Sequence, residues 1–162
     1  MIEPDHTGKL DSGFALILII WGAILASLGV YLGVGLFMGD TFTVALSDEF
    51  PVVTLRYVLF GISAATLAGV HVLRRFMLGH PGGSTPSASS GQHPAVARYA
   101  VIVILSSALL ESIGIYGLVL FLTAGDSLSL YQLLGLSAVA MLVYRPRKAE
   151  LLDLARRMGT MN

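Results

Sequence analysis

The sequence contains no cysteine, and only 12% of its residues are charged. Without thiols, the chain can form neither a disulfide framework nor a thiolate metal site. It has no glycine-rich phosphate loop and no pair of nucleophile and base, and its histidines do not follow a metal-ligand spacing. We therefore expect no catalytic residues, no metal site and no cofactor. A formal net charge of zero gives no reason to expect nucleic acid as a partner.

Apolar residues dominate what is present. They make up 55% of the chain, and the mean hydropathy is +0.79, which is typical of proteins that cross a membrane several times. A helix needs about 20 apolar residues to cross a bilayer. The sequence predicts an all-α membrane protein with four transmembrane helices, at 13–38, 51–78, 97–123 and 128–144, the last at the lower limit of length.

Composition divides the chain into four parts. Residues 1–78 and 97–144 are predicted to form two helical hairpins, and 79–96 a flexible Gly/Pro/Ser linker. The basic tail, 145–162, has the pattern of an amphipathic helix. We interpret that helix as lying on the membrane surface, with docking to a soluble partner as the alternative.

Basic residues are distributed unevenly between the connections. The connections that follow the first and third spans carry only acidic residues, whereas arginine and lysine surround the linker and fill the tail. By the positive-inside rule, the linker and both termini are cytoplasmic, and we expect an integral protein of a bacterial inner membrane. The residues that set this orientation are Arg74, Arg75, Arg98, Arg145, Arg147, Lys148, Arg156 and Arg157.

The two halves of the chain resemble each other. Residues 23–31 align with 108–116, and residues 57–64 align with 131–138, in the same order. Membrane helices share a small alphabet, but two matched stretches that each contain a tyrosine favour an internal duplication. The sequence thus predicts two tandem hairpin repeats with parallel orientation.

Glu111 is the only acidic residue in the interior of an apolar run, and the aligned residue of the first half is Ala26. A charged carboxylate at bilayer depth costs roughly 2.5–3.5 kcal/mol on insertion scales. We therefore expect Glu111 to be protonated, ion-bound or hydrogen-bonded, and to face protein. Such an acid marks a functional site by default, and a neutral carboxyl that bonds two helices together is the alternative.

Hydroxyl groups surround this acid in the sequence. Ser112 is its neighbour, and the phenol of Tyr116 leans toward the same turn because helical side chains point toward the N-terminus. Ser63 and Thr66 of the second span are further candidates for an ion site. Glycines are expected to bring helices close together at four positions, namely Gly29, Gly61, Gly114 and Gly117.

The segment 111–119, Glu-Ser-Ile-Gly-Ile-Tyr-Gly-Leu-Val, resembles the ion-binding helix of the proteolipid (c) subunits of rotary ATPases. In that family the glutamate carries the ion, and in sodium-coupled members the adjacent serine and the tyrosine complete the site. The resemblance implies these roles for Glu111, Ser112 and Tyr116. The vacuolar-type subunit is also a duplicated hairpin in which one copy lacks the acid.

Together these features predict a proteolipid-like membrane subunit that binds and translocates protons, with sodium as the less favoured ion. The alternative is a non-transporting accessory or scaffold subunit of a larger membrane complex. In neither case is the chain expected to be an enzyme by itself. The expected partners are the lipid bilayer and other membrane subunits, and a homo-oligomer is one of the arrangements left open.

The charge asymmetry yields a test of topology. Because the chain has no cysteine, a single cysteine introduced at Ser87, Thr160 or Asp48 is the only thiol. We expect impermeant maleimides to label Ser87→Cys and Thr160→Cys from the cytoplasmic side, and Asp48→Cys from the opposite side. Labelling of Ser87→Cys and Thr160→Cys from opposite sides would show an odd number of spans after the linker.

Overall fold

The computed structural model describes residues 4–38, 51–79 and 94–159. These residues contain five α-helices and no strand, so the all-α prediction is confirmed. The predicted connection at 39–50 and most of the linker lie outside the described residues. The helices are α1 (Pro4–Met38), α2 (Val52–Gly79), α3 (Pro94–Ala124), α4 (Ser127–Val143) and α5 (Lys148–Gly159).

Three of these helices, α1, α2 and α3, are long and apolar enough to cross a membrane. The count rises to four if α4 and α5, which are bent by 52° at the break between them, form one span. Both α1 and α3 begin earlier than predicted, at Pro4 and at Pro94. Proline suits the first turn of a helix because the amide hydrogen it lacks would have no partner there.

The third helix lies at the centre of the bundle. It packs against each of the other four helices, and most extensively against α4. By contrast, α1 and α2 expose about half of their apolar side chains, for example Val30, Phe37 and Tyr57. Within a bilayer such faces contact lipid chains without cost, and this surface is therefore compatible with an integral membrane location.

Two glycines allow the close packing around α3. A Cβ atom at Gly117 would lie 3.1 Å from the Cβ of Leu133 and 3.2 Å from the backbone of Leu130, both on α4. A Cβ at Gly114 would lie 2.7 Å from a methyl group of Leu28 on α1. The other predicted packing glycines, Gly29 on α1 and Gly61 on α2, have no atom within 4 Å of a Cβ among the described residues.

A tight turn joins α3 to α4. Gly125 has a φ of 66°, a left-handed conformation that suits glycine at the end of a helix, and its amide donates to the carbonyl of Phe121 (2.9 Å). Asp126 then caps α4 by accepting from the amide and the hydroxyl of Ser129 at 3.1 and 2.6 Å. The same carboxylate pairs with Arg56 of α2 at 2.5 Å, which connects α2 to this end of the hairpin.

The opposite end of the bundle is held by Arg74. Its side chain is 7% exposed and pairs with Glu150 of α5 at 2.8 Å. The guanidinium also donates to the carbonyl of Tyr144 (2.9 Å) and lies 5.5 Å from the centre of that ring. The phenol of Tyr99 donates to the same Glu150 carboxylate (3.0 Å), so one ion pair joins α2, α3 and α5.

The tail helix uses its apolar face inside the chain. Leu151 and Leu154 are 1% and 2% exposed and pack in a cluster with Val96 of α3. Arg156 and Arg157 are exposed, as the amphipathic pattern predicts. The helix is therefore docked on the bundle by one face and open to its surroundings on the other.

The close contact at Gly117 predicts that the loss of stability caused by a larger side chain depends strongly on which glycine is replaced. We expect Gly117→Leu to lower the free energy of unfolding by about 1–3 kcal/mol, because α4 must move to admit the new side chain. Gly135→Leu is the matched control, since no atom of the described residues lies within 4 Å of a Cβ at that position of α4. Thermal unfolding in detergent, followed by circular dichroism, measures both. Equal losses in the two variants would contradict the packing described here.

A second prediction concerns Asp126. Burial raises the pKa of this carboxyl, but the bonds from Ser129 and the Arg56 guanidinium outweigh burial and hold the pKa below its ordinary value of 3.8. A carboxyl whose pKa is lowered by folding stabilises the protein above its ordinary pKa, and that contribution disappears as the pH falls through the folded value.

We therefore expect Asp126→Asn, which keeps a capping side chain, to be less stable than the parent at neutral pH by up to about 1 kcal/mol. The difference should vanish as the pH falls below 3.8. Unfolding midpoints in detergent across that range provide the measurement. Asp153→Asn is the control, because its ion pair with Arg157 is more than half exposed. A difference for Asp126→Asn that persists in acid would overturn the assignment.

Candidate functional site

Glu111 lies near the middle of α3, and its side chain is half-buried. Because Glu111 and Gly114 are three residues apart, they lie on neighbouring positions of one helix face. The glycine leaves room for Leu28, and this allows α1 to approach α3 within a turn of the acid. The carboxyl is therefore placed at a close crossing of two helices that are long and apolar enough to span a membrane.

Two hydroxyl groups of α1 meet the acid. Ser27 and Tyr31 are four residues apart and so lie on one face of α1. The phenol of Tyr31 donates to Oε1 of Glu111 at 2.9 Å, and the hydroxyl of Ser27 makes a short hydrogen bond to the same oxygen. Among the described residues, the other oxygen, Oε2, has no hydrogen-bond partner, and it is not an enclosed atom.

The hydroxyl of Ser27 lies between two oxygens that both accept. It is 2.6 Å from the carbonyl of Ile24, in its own helix, and it also contacts Oε1 of Glu111. A serine hydroxyl carries one proton and therefore donates to only one of them at a time. When Ser27 donates to Ile24, a hydrogen bond between Ser27 and Glu111 requires that the carboxyl carry a proton and donate it to Ser27. When Ser27 donates to Glu111, the carboxyl is the ionised acceptor.

The predicted partners of the acid lie elsewhere. The hydroxyl of Ser112 donates to the carbonyl of Leu109 in its own helix (2.7 Å). Tyr116 is half-buried and packs against the apolar cluster around α3 and α4. On α2, the hydroxyls of Ser63 and Thr66 donate to carbonyls one turn earlier, at 2.8 and 2.9 Å. The described hydrogen bonds therefore do not join these four hydroxyls to Glu111.

The two hydroxyls that do meet the acid have a signature in the sequence. In the alignment of 23–31 with 108–116, Ser27 stands opposite Ser112 and Tyr31 stands opposite Tyr116. The stretch without an acid thus supplies the serine and the tyrosine to the stretch that has one. The alignment could therefore have identified Ser27 and Tyr31 as partners of the acid. Where two similar helices cross, a carboxyl on one helix can contact side chains of the other helix as readily as those of its own.

Among the described residues, no group of three or more His, Cys, Asp or Glu side chains is placed to hold a metal ion. The site therefore consists of one carboxyl, two hydroxyls and a helix carbonyl, all oxygen atoms. Such a set can accept, hold and release a proton.

No protein-family model, curated protein or solved structure matches this chain.

Proposed function

We propose that this protein is a membrane subunit that binds and releases a proton at Glu111, and that it takes part in proton translocation within a larger membrane complex. The observation that carries the proposal is the position of the Ser27 hydroxyl between Ile24 and Glu111. This hydroxyl keeps a hydrogen bond with Oε1 of the carboxyl in both protonation states, without movement of a helix.

In the neutral state each of the three hydroxyl protons has an acceptor. The acid proton on Oε1 is donated to Ser27, Ser27 donates its own proton to the carbonyl of Ile24, and Tyr31 donates to Oε1. On release of the acid proton, the Ser27 hydroxyl rotates, and the carboxylate receives hydrogen bonds from Ser27 and Tyr31. Hydrogen bonds to a charged group are about twice as strong as neutral ones, and they offset part of the cost of a charge at bilayer depth.

The half-buried position of Glu111 supports exchange with the surroundings of the chain. Oε2 has no partner among the described residues and is not enclosed, so a carrier outside the chain can reach the carboxyl. The resemblance of residues 111–119 to the ion-binding helix of rotary ATPase proteolipids also supports this proposal. The site differs from that family's pattern because its hydroxyls come from α1 rather than from Ser112 and Tyr116.

The second candidate function is an accessory or scaffold subunit that moves no ion. The bonds from Ser27 and Tyr31 also fasten α1 to α3, which favours this alternative. Interhelical hydrogen bonds in membranes average about 0.6 kcal/mol. In that case the protonation state of Glu111 has no consequence, and an amide at the same position serves equally well.

Carbodiimide labelling separates the two functions. The reagent modifies a protonated carboxyl that is reachable from the bilayer, and mass spectrometry locates the adduct. In membranes we expect Glu111 to be labelled in acid and to lose its reactivity as the pH rises. Because the hydrogen bonds of Ser27 and Tyr31 are stronger to the ionised carboxylate than to the neutral acid, Ser27→Ala and Tyr31→Phe should extend labelling to higher pH. Glu111→Gln should abolish labelling and proton uptake by reconstituted vesicles, with helix content unchanged.

The repeat provides matched controls. Ser112→Ala and Tyr116→Phe remove the same atoms from the aligned positions of α3, and we expect neither to change the pH profile of labelling. Protection by sodium ions at constant pH would assign the site to sodium instead of protons. A Glu111 that is unreactive at every pH, or a Glu111→Gln protein with unchanged proton uptake, would remove the proton-binding function and leave the scaffold.

A further inference from the structure

We propose that the groove between the ends of α2 and α4 and the start of α5 binds the phosphate of an anionic phospholipid. This site is separate from Glu111 and does not depend on the proposed function. The groove has a volume of about 250 Å³ and is lined by a mixture of basic and apolar side chains. These are His71, Arg74, Arg75, Leu78, Val143, Tyr144, Arg147 and Glu150.

The lining of this groove has a net positive charge, and two of its guanidinium groups can interact with a ligand. The ion pair between Arg74 and Glu150 neutralises the one acidic side chain in the lining, at a distance of 2.8 Å. Arg75 and Arg147 remain, and both are exposed. Within residues 51–79 and 94–159, neither guanidinium forms an ion pair. Two guanidinium groups on one groove suit a phosphate, because each presents paired donors to its oxygens.

The Arg74 cluster fixes the geometry of the groove. Because the guanidinium of Arg74 is bonded to Glu150 and to the carbonyl of Tyr144, the ends of α2 and α4 and the start of α5 are held together. His71 adds a polar contact across the same gap, since its Nδ1 lies 3.1 Å from the hydroxyl of Tyr144. The lining of the groove is therefore held in place by contacts within the chain, without a ligand.

The apolar part of the lining favours a lipid over a soluble anion. Leu78 and Val143 lie at the ends of α2 and α4, and Val143 is 59% exposed. In a bilayer these helix ends lie at the level of the headgroups, so the acyl chains of a lipid can follow the apolar helices while its phosphate enters the groove. Basic pockets between membrane helices are known to hold anionic headgroups in this way.

An adjoining groove is a less suitable phosphate site. It has a volume of about 290 Å³ and shares Arg75 and Glu150 with the first, but its lining also includes Asp153. Asp153 pairs with Arg157 at 2.9 Å, so this groove has no comparable excess of positive charge. The phosphate is therefore assigned to the side of Arg75 that faces Arg147.

Native mass spectrometry of the full chain in mild detergent tests the proposal. The protein is mixed with equal amounts of dioleoyl phosphatidylglycerol and dioleoyl phosphatidylcholine, and the bound fraction of each is measured. We expect the anionic lipid to be bound preferentially. Arg75→Gln and Arg147→Gln should each weaken its binding about five-fold, since a basic residue near a membrane surface contributes on this scale.

Arg156→Gln is the matched control. It removes the same charge from an exposed position on α5 outside the groove, and we expect it to leave the lipid preference unchanged. Thermal unfolding of each variant confirms that it is folded.

Equal binding of the two lipids, or an equal loss with Arg156→Gln, would overturn the proposal. Competition by inorganic phosphate at the concentration of the lipid would also overturn it, because the site would then belong to a soluble anion.

Discussion

A carboxyl group in the apolar middle of a membrane helix has no water to bond to, and every partner must come from protein. This constraint explains the arrangement of α1 on α3. The glycine one turn beyond Glu111 brings the helices together, and two hydroxyls of α1 then reach the acid. If α1 lay farther from α3, the acid would lose these hydroxyl partners. In lipid, its ionised form is unfavourable by several kcal/mol.

The same constraint operates at the basic end of the bundle. Breaking a buried ion pair by removing one partner typically costs about 3–5 kcal/mol, because the remaining charge is left uncompensated. Burial of Arg74 therefore requires Glu150 beside it. Because Arg74 lies on α2 and Glu150 on α5, this ion pair positions α5 relative to α2. The amphipathic tail helix is held in place by this ion pair together with its buried apolar face, and a basic groove is formed beside it.

Hydropathy predicted the helices well, because long apolar runs separated by polar or glycine-rich segments leave little choice of secondary structure. The cost of a charge at bilayer depth predicted that Glu111 faces protein, and the structure places one of its two carboxyl oxygens against hydroxyls of α1. The partners of the acid were not predictable from spacing along α3, since an interhelical contact depends on which helix crosses there. Arg74 was interpreted only as an orientation signal. Its burial depends on Tyr99 and Glu150, residues distant in the sequence that no local pattern connects to it.

The two acceptors of Ser27 also have a consequence for biogenesis. Ser27 and Glu111 are 84 positions apart, so α1 is synthesised well before its partner exists. During that interval a serine hydroxyl in an apolar helix needs an acceptor of its own, and the carbonyl of Ile24 provides one within the same turn. The hydroxyl of Ser27 therefore has an acceptor within α1 before α3 is present beside it.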